Sequence, residues 1–175
     1  MSASEITSHI VDRLKDLSVE DRQAELHRCC GSTRWANLVA QKLGSLTNDD
    51  DLFALADTTW SQMSKADILE AFSHHPQIGA DPEKLKARFQ HTHQWSANEQ
   101  SGMSQANEAV IQRLASGNAM YLERFGYIFI VCATGKSAQE MLDLLEARVN
   151  NDPIEELQIA AGEQAKITKL RLEKL

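Results

Sequence analysis

Apolar residues recur along the chain at spacings of three and four, the period of one helical face. Short Ser-x-x-acid signatures stand where several of these stripes begin. Ser18-Val19-Glu20-Asp21 and Ser64-Lys65-Ala66-Asp67 carry Asp at the fourth position, while Ser96-Ala97-Asn98-Glu99 and Ser137-Ala138-Gln139-Glu140 carry Glu. After Glu99, the residues Met103, Ala106, Val110 and Leu114 form a stripe that is expected to end at a Gly117-Asn118 break. After Ser137, Met141, Leu144, Leu145 and Val149 form another. Asp152-Pro153 supplies an N-cap and a first-turn proline for a last helix, whose Ile154, Leu157, Ala161, Ile167 and Leu170 are expected to face a core. Its basic end, Lys166, Lys169, Arg171 and Lys174, matches the negative end of the helix dipole. The pattern predicts an all-α fold, a single compact helical domain over residues 1–175.

Two stretches fit the pattern less well. Tyr127-Ile128-Phe129-Ile130-Val131-Cys132-Ala133 is apolar and β-branched, and periodicity alone does not decide between strand and buried helix. A lone strand has no ladder partner for its backbone groups, and no second run is long enough to pair with it, so the segment is expected to be part of a helical core, with room for an irregular end. The run Asp49-Asp50-Asp51 is expected to be a solvated helix start and no metal site, because consecutive carboxylates on a helix diverge.

Composition narrows the class. With 42% hydrophobic and 25% charged residues, the 175-residue chain is neither disordered nor fibrous. A formal net charge of -7 gives no global field for a nucleic-acid backbone or an anionic membrane, so neither is an expected partner. Three cysteines, Cys29, Cys30 and Cys132, form no CxxC spacing and read as small buried thiols. No signal-peptide pattern or membrane-spanning run is visible, and the expected location is the cytoplasm.

Four of the six histidines lie between positions 74 and 93. In His74-His75-Pro76-Gln77-Ile78-Gly79, proline pushes His75 out of the α region, so the helix opened at Ser64 ends there and leaves His75 on a restrained backbone. That placement suits a group held at a pocket mouth, and equally a surface histidine at a helix C-terminus. His91-Thr92-His93 offers a possible zinc pair, but residues two apart diverge at a helix end and no further ligand is suitably spaced. Glu99 completes a capping box; the same position sets a carboxylate beside free backbone donors.

Five ordered blocks carry a resemblance. They are Cys30-Gly31-Ser32-Thr33-Arg34-Trp35, His75-Pro76-Gln77-Ile78-Gly79, Trp95-Ser96-Ala97-Asn98-Glu99-Gln100-Ser101-Gly102, Arg124 to Ala133 with Gly135-Lys136, and Glu163 to Leu172. Together they resemble the 2-oxo-4-hydroxy-4-carboxy-5-ureidoimidazoline (OHCU) decarboxylases, which act on the route from urate to (S)-allantoin. The resemblance implies an all-helical homodimer that needs no cofactor or metal. It implies His75 as the proton-transfer residue and Glu99 as its acidic partner. Pro76, Ser96, Glu99 and Gln100 would contact the small-molecule substrate, as would the segment Phe129, Ile130, Val131, Cys132 and Ala133. The family's substrate arginine matches Arg171 best, with Arg148 second.

The implied chemistry is physically reasonable. Loss of CO2 leaves an electron pair that the adjacent carbonyl and ring can delocalise, so the protein has only to orient the carboxylate and manage protons. Two other classes stand beside it: a helical protein-interaction module without catalysis, and a metal-dependent hydrolase built on His91 and His93. Convergence of His75 with Glu99, or of the two histidines with a third ligand, would separate them.

Overall fold

The computed structural model of the protein describes residues 9–76, 79–89 and 97–175, with side chains in the last stretch from residue 107 onward. Among the described residues the secondary structure is helical, with no strand. The elements are α1 (His9–Asp16), α2 (Val19–Cys29), α3 (Thr33–Lys42), a 3-10 turn (Leu43–Ser45), α4 (Asp49–Ser61), α5 (Lys65–Ser73), α6 (Pro82–Phe89), α7 (Ala97–Phe125), α8 (Ala138–Arg148) and α9 (Pro153–Glu173). The chain divides into two compact units, one formed by residues up to His75 together with Ala161–Leu175, the other by Pro76–Ala160. Helix α9 therefore contributes to both.

The helix starts follow the serine signatures. Ser18 accepts from the Asp21 N–H and Ser137 from the Glu140 N–H, each satisfying a first-turn donor. Ser64 and Asp67 form the full reciprocal capping box at the start of α5. Asp152 accepts from the Ile154 and Glu155 N–H groups at the start of α9. The Ser96 signature lies outside the described residues, although α7 begins immediately after it.

In the first unit Leu14, Leu26, Trp35, Leu43, Leu52, Phe72 and Leu172 are fully buried. Burial of each such Leu or Phe contributes about 1.5–3 kcal/mol. The Trp35 indole N–H donates to the Ala56 carbonyl at 3.1 Å, so this large ring enters the core without an orphaned donor. In the second unit Leu85, Ile111, Leu114, Tyr121, Met141, Leu142 and Leu145 form the core.

Four expectations are corrected. Helix α7 runs through Gly117 and Asn118 without a break. The glycine there serves close packing: a Cβ on Gly117 would stand 2.7 Å from Leu145 Cδ2 on α8. Second, Tyr127–Ala133 is neither helix nor strand but an irregular connection between α7 and α8. Its side chains pack on the core of the second unit, and its backbone finds cationic partners in place of a ladder: Arg148 donates to the Ile130 carbonyl and Lys136 to the Cys132 carbonyl.

Third, the acidic run is not wholly solvated. Asp49 is buried and accepts from the N–H groups of Ile10 and Val11, both at 3.0 Å, so it caps α1 from a distance in sequence. Fourth, the buried stripe of α9 is not its apolar set. Ile154 is 74% exposed, and the buried positions are Glu156, Ala160, Gln164, Thr168 and Leu172, each four residues after the last. Three of these five are polar, and each has a specific partner.

Candidate functional site

The approach to His75 is built by the block Cys30–Trp35. Gly31 lies against His74, and a Cβ at position 31 would stand 2.6 Å from the His74 Cβ. Ser32 caps α3, and the Thr33 N–H and hydroxyl both donate to the Glu70 carboxylate on α5, at 2.8 and 2.9 Å. These contacts fix the start of α3 to α5, and His74 and His75 follow directly on the end of α5. The His75 N–H closes on the Phe72 carbonyl at 3.2 Å, and the helix ends there, as the following proline requires.

The His75 ring is half-buried. Its Nε2 lies 2.5 Å from Gln164 Oε1, and the Gln164 amide nitrogen donates to the Thr168 hydroxyl oxygen at 3.1 Å. Gln164 is fully buried. Burial holds the imidazole below its ordinary pKa; the Gln164 hydrogen bond acts in the opposite direction, and the Arg171 guanidinium and the neighbouring His74 lower it further. The ring is consequently neutral near pH 7 and able to take a proton. Arg171 also stands within electrostatic reach of the Cys29 and Cys30 thiols, and its guanidinium points at the Cys29 carbonyl. Burial pushes these thiols up, to about 12 for Cys29 and about 11 for Cys30, so both remain protonated and poorly nucleophilic. All three cysteines are buried.

The two candidate arginines have different surroundings. Arg171 is partly exposed in the first unit, close to His75. Arg148, in the second unit, is buried and fully engaged. Its Nε and Nη2 donate to the Glu156 carboxylate at 3.0 and 2.7 Å, its Nη1 donates to the Ile130 carbonyl at 2.8 Å, and its guanidinium lies 4.5 Å over the Phe129 ring. Tyr121 completes the cluster by donating its hydroxyl to Glu156. Arg148 thus holds the segment Phe129–Ala133 in place and has little donor capacity left over.

Of the other residues singled out by sequence, Pro76 is exposed at the start of the second unit. The Asn118 side-chain amide donates to the Gly79 carbonyl at 2.7 Å. Glu99 and Gln100 occupy the first turn of α7, but their side chains lie outside the description, as do Ser96, His91 and His93 altogether. Among the described residues no three His, Cys, Asp or Glu side chains stand close enough to share a metal ion. A shallow pocket between α4 and α9, walled by Phe53, Trp60, Ala165 and Lys169, includes Thr168 but neither His75 nor Arg171. Gln164 and Glu156 escaped the sequence reading. The signal available was three polar residues, Glu156, Gln164 and Thr168, in one i, i+4 series.

Comparison with known proteins identifies the family. A family model described as OHCU decarboxylase matches residues 15–173. The chain is 40% identical over 161 residues to the uric acid degradation bifunctional protein TTL of Arabidopsis thaliana, covering 91% of this chain and 48% of that protein. It is 27% identical over 168 residues to the OHCU decarboxylase of Haloferax volcanii, covering 96% and 95% respectively. Against the first of these curated relatives it thus spans about half the length. A crystal structure of an OHCU decarboxylase in the presence of (S)-allantoin superposes with a TM-score of 0.67 at 38% identity, over 86% of this chain and 95% of that one. With the family match running from α1 to the end of α9, the chain belongs to the OHCU decarboxylase family.

Proposed function

We propose that this chain decarboxylates OHCU to (S)-allantoin in urate degradation, with no cofactor or metal, as a cytoplasmic homodimer. The observation that carries the reading is a half-buried His75 on a restrained backbone, bonded to Gln164 and within electrostatic reach of Arg171, in a chain of this family. Decarboxylation breaks the bond to the carboxylate carbon, releases CO2, sends the bonding pair into the conjugated ring, and adds one proton to carbon. His75 is the group that moves protons, since a neutral imidazole can accept one and return it within a turnover. Glu99 polarises the substrate hydroxyl or the imidazole. Arg171 supplies paired N–H donors for carbonyl or ureido oxygens, against the protein's net negative field. Pro76, Ser96, Gln100 and the backbone of Phe129–Ala133 complete the contacts.

No helix among the described residues is long and apolar enough to cross a membrane. The test is to generate OHCU enzymatically, add the protein at once, and follow optical activity. Rapid appearance of (S)-allantoin supports the reading. Racemic product at the spontaneous rate overturns it. Light scattering of the pure protein checks the dimer.

A further inference from the structure

A chain of side chains runs inward from His75, and its direction decides which ring nitrogen carries the proton. Thr168, itself buried, lies at the far end, and its hydroxyl oxygen accepts the Gln164 amide N–H at 3.1 Å. The Gln164 oxygen then faces His75 Nε2 at 2.5 Å, and an amide oxygen only accepts. Gln164 is fully buried, so water does not compete for either end of its amide.

We propose that Gln164 is a positioning residue that holds neutral His75 as the Nε2–H tautomer, leaving the Nδ1 lone pair as the atom that exchanges protons with substrate. The proposal deepens the decarboxylase reading and rests on it for the identity of the substrate, but the tautomer itself is a property of the unliganded protein. The opposite polarity would turn the Gln164 amide round, its oxygen accepting from the Thr168 hydroxyl and its NH2 donating to a bare Nε2; the two ring nitrogens would then exchange roles, which their chemical shifts read directly. Besides Gln164, the charged or titratable groups acting on the ring among the described residues are the neighbouring His74 and Arg171 on α9.

The test is 15N NMR of the full chain labelled in its imidazoles, with the His75 signals identified by their loss in His75→Asn. A protonated-type Nε2 and a lone-pair-type Nδ1 in the neutral ring are expected. The reverse pattern, or two averaged signals, overturns the proposal. Gln164→Leu should draw the two shifts toward their average and lower kcat by roughly 10-fold or more with little change in KM, the scale on which losing an orienting partner acts. Gln164→Glu keeps an oxygen in place, so it should restore the tautomer and move the acid limb of the pH profile upward. Unchanged His75 shifts in Gln164→Leu overturn the proposal; should that variant not fold, the wild-type and Gln164→Glu spectra decide alone. The spectra are read without substrate, so an inactive protein with the expected tautomer refutes the decarboxylase reading and leaves the positioning role standing.

Discussion

Gly31 and His74 approach so closely that a single added carbon at position 31 would stand 2.6 Å from the His74 Cβ and 2.7 Å from its ring. The first of these is a main-chain-proximal atom that a rotamer change does not remove. Gly31→Ala is therefore expected to push the end of α5 outward and cost about 1–3 kcal/mol, as overpacking does. Because His75 is the next residue, turnover should fall together with the thermal midpoint. A variant with wild-type values of both would show that this contact does not set the histidine.

The division of labour between His75 and Glu99 is separable by mutation. His75→Asn keeps polarity but cannot titrate near neutrality, and (S)-allantoin formation should drop by roughly 100-fold or more with the melting temperature nearly unchanged. Glu99→Gln retains a side chain able to cap the start of α7, so the helix should survive while turnover is badly reduced. Normal turnover in either variant removes that residue from the chemistry.

The two arginines should fail in different ways. Arg148→Ala leaves the fully buried Glu156 carboxylate without its cation, a loss of about 3–5 kcal/mol, and unfastens the Ile130 carbonyl. Poor folding is the expected phenotype. Arg171→Ala, at a partly exposed position, should fold, melt close to wild type and show a raised KM. Denaturant titration with steady-state kinetics distinguishes them, and a stable, weakly binding Arg148→Ala protein would reverse the assignment.

Stability should decline on the acid side. The His75 pKa lies below its ordinary 6.5 in the folded state, chiefly through burial. As pH falls through 6.5 the unfolded chain takes up this proton first, so folding stability drops until the native ring also protonates, and levels off below that. The same depression should place the acid limb of kcat/KM below the ordinary histidine range. Chemical denaturation at a series of pH values, compared with His75→Asn, isolates the contribution: the variant should lose this part of the slope.

The helical class and most helix starts were legible because serine caps and apolar spacing are local signals, and Ser18, Ser64 and Ser137 cap as their sequences predict. Ser32 was not singled out as a cap, since Trp35 stands where an acid would complete the signature. What sequence misplaced depends on distant partners. Gly117 reads as a breaker until Leu145 is seen against it, and the 127–133 run lacks a strand partner because Arg148 supplies a donor instead. His75 was legible through its proline. Gln164 was not, because nothing within ten residues of it in sequence reveals that its amide faces a histidine eighty-nine positions earlier.

The carboxylate of Asp49 has a consequence for how the protein opens. First-turn amides of a helix have no intrahelical acceptor and usually exchange with solvent freely. Those of Ile10 and Val11 are instead bonded to a side chain on another helix, 39 and 38 residues away. Their hydrogen exchange therefore reports the docking of α4 and not the fraying of α1, and the two helices should come away as one cooperative unit. Deleting the first helix would leave Asp49, now without its two amide donors, at a newly opened face, so the N-terminal segment acts as a fastener for the interior and not as an ornament on its edge.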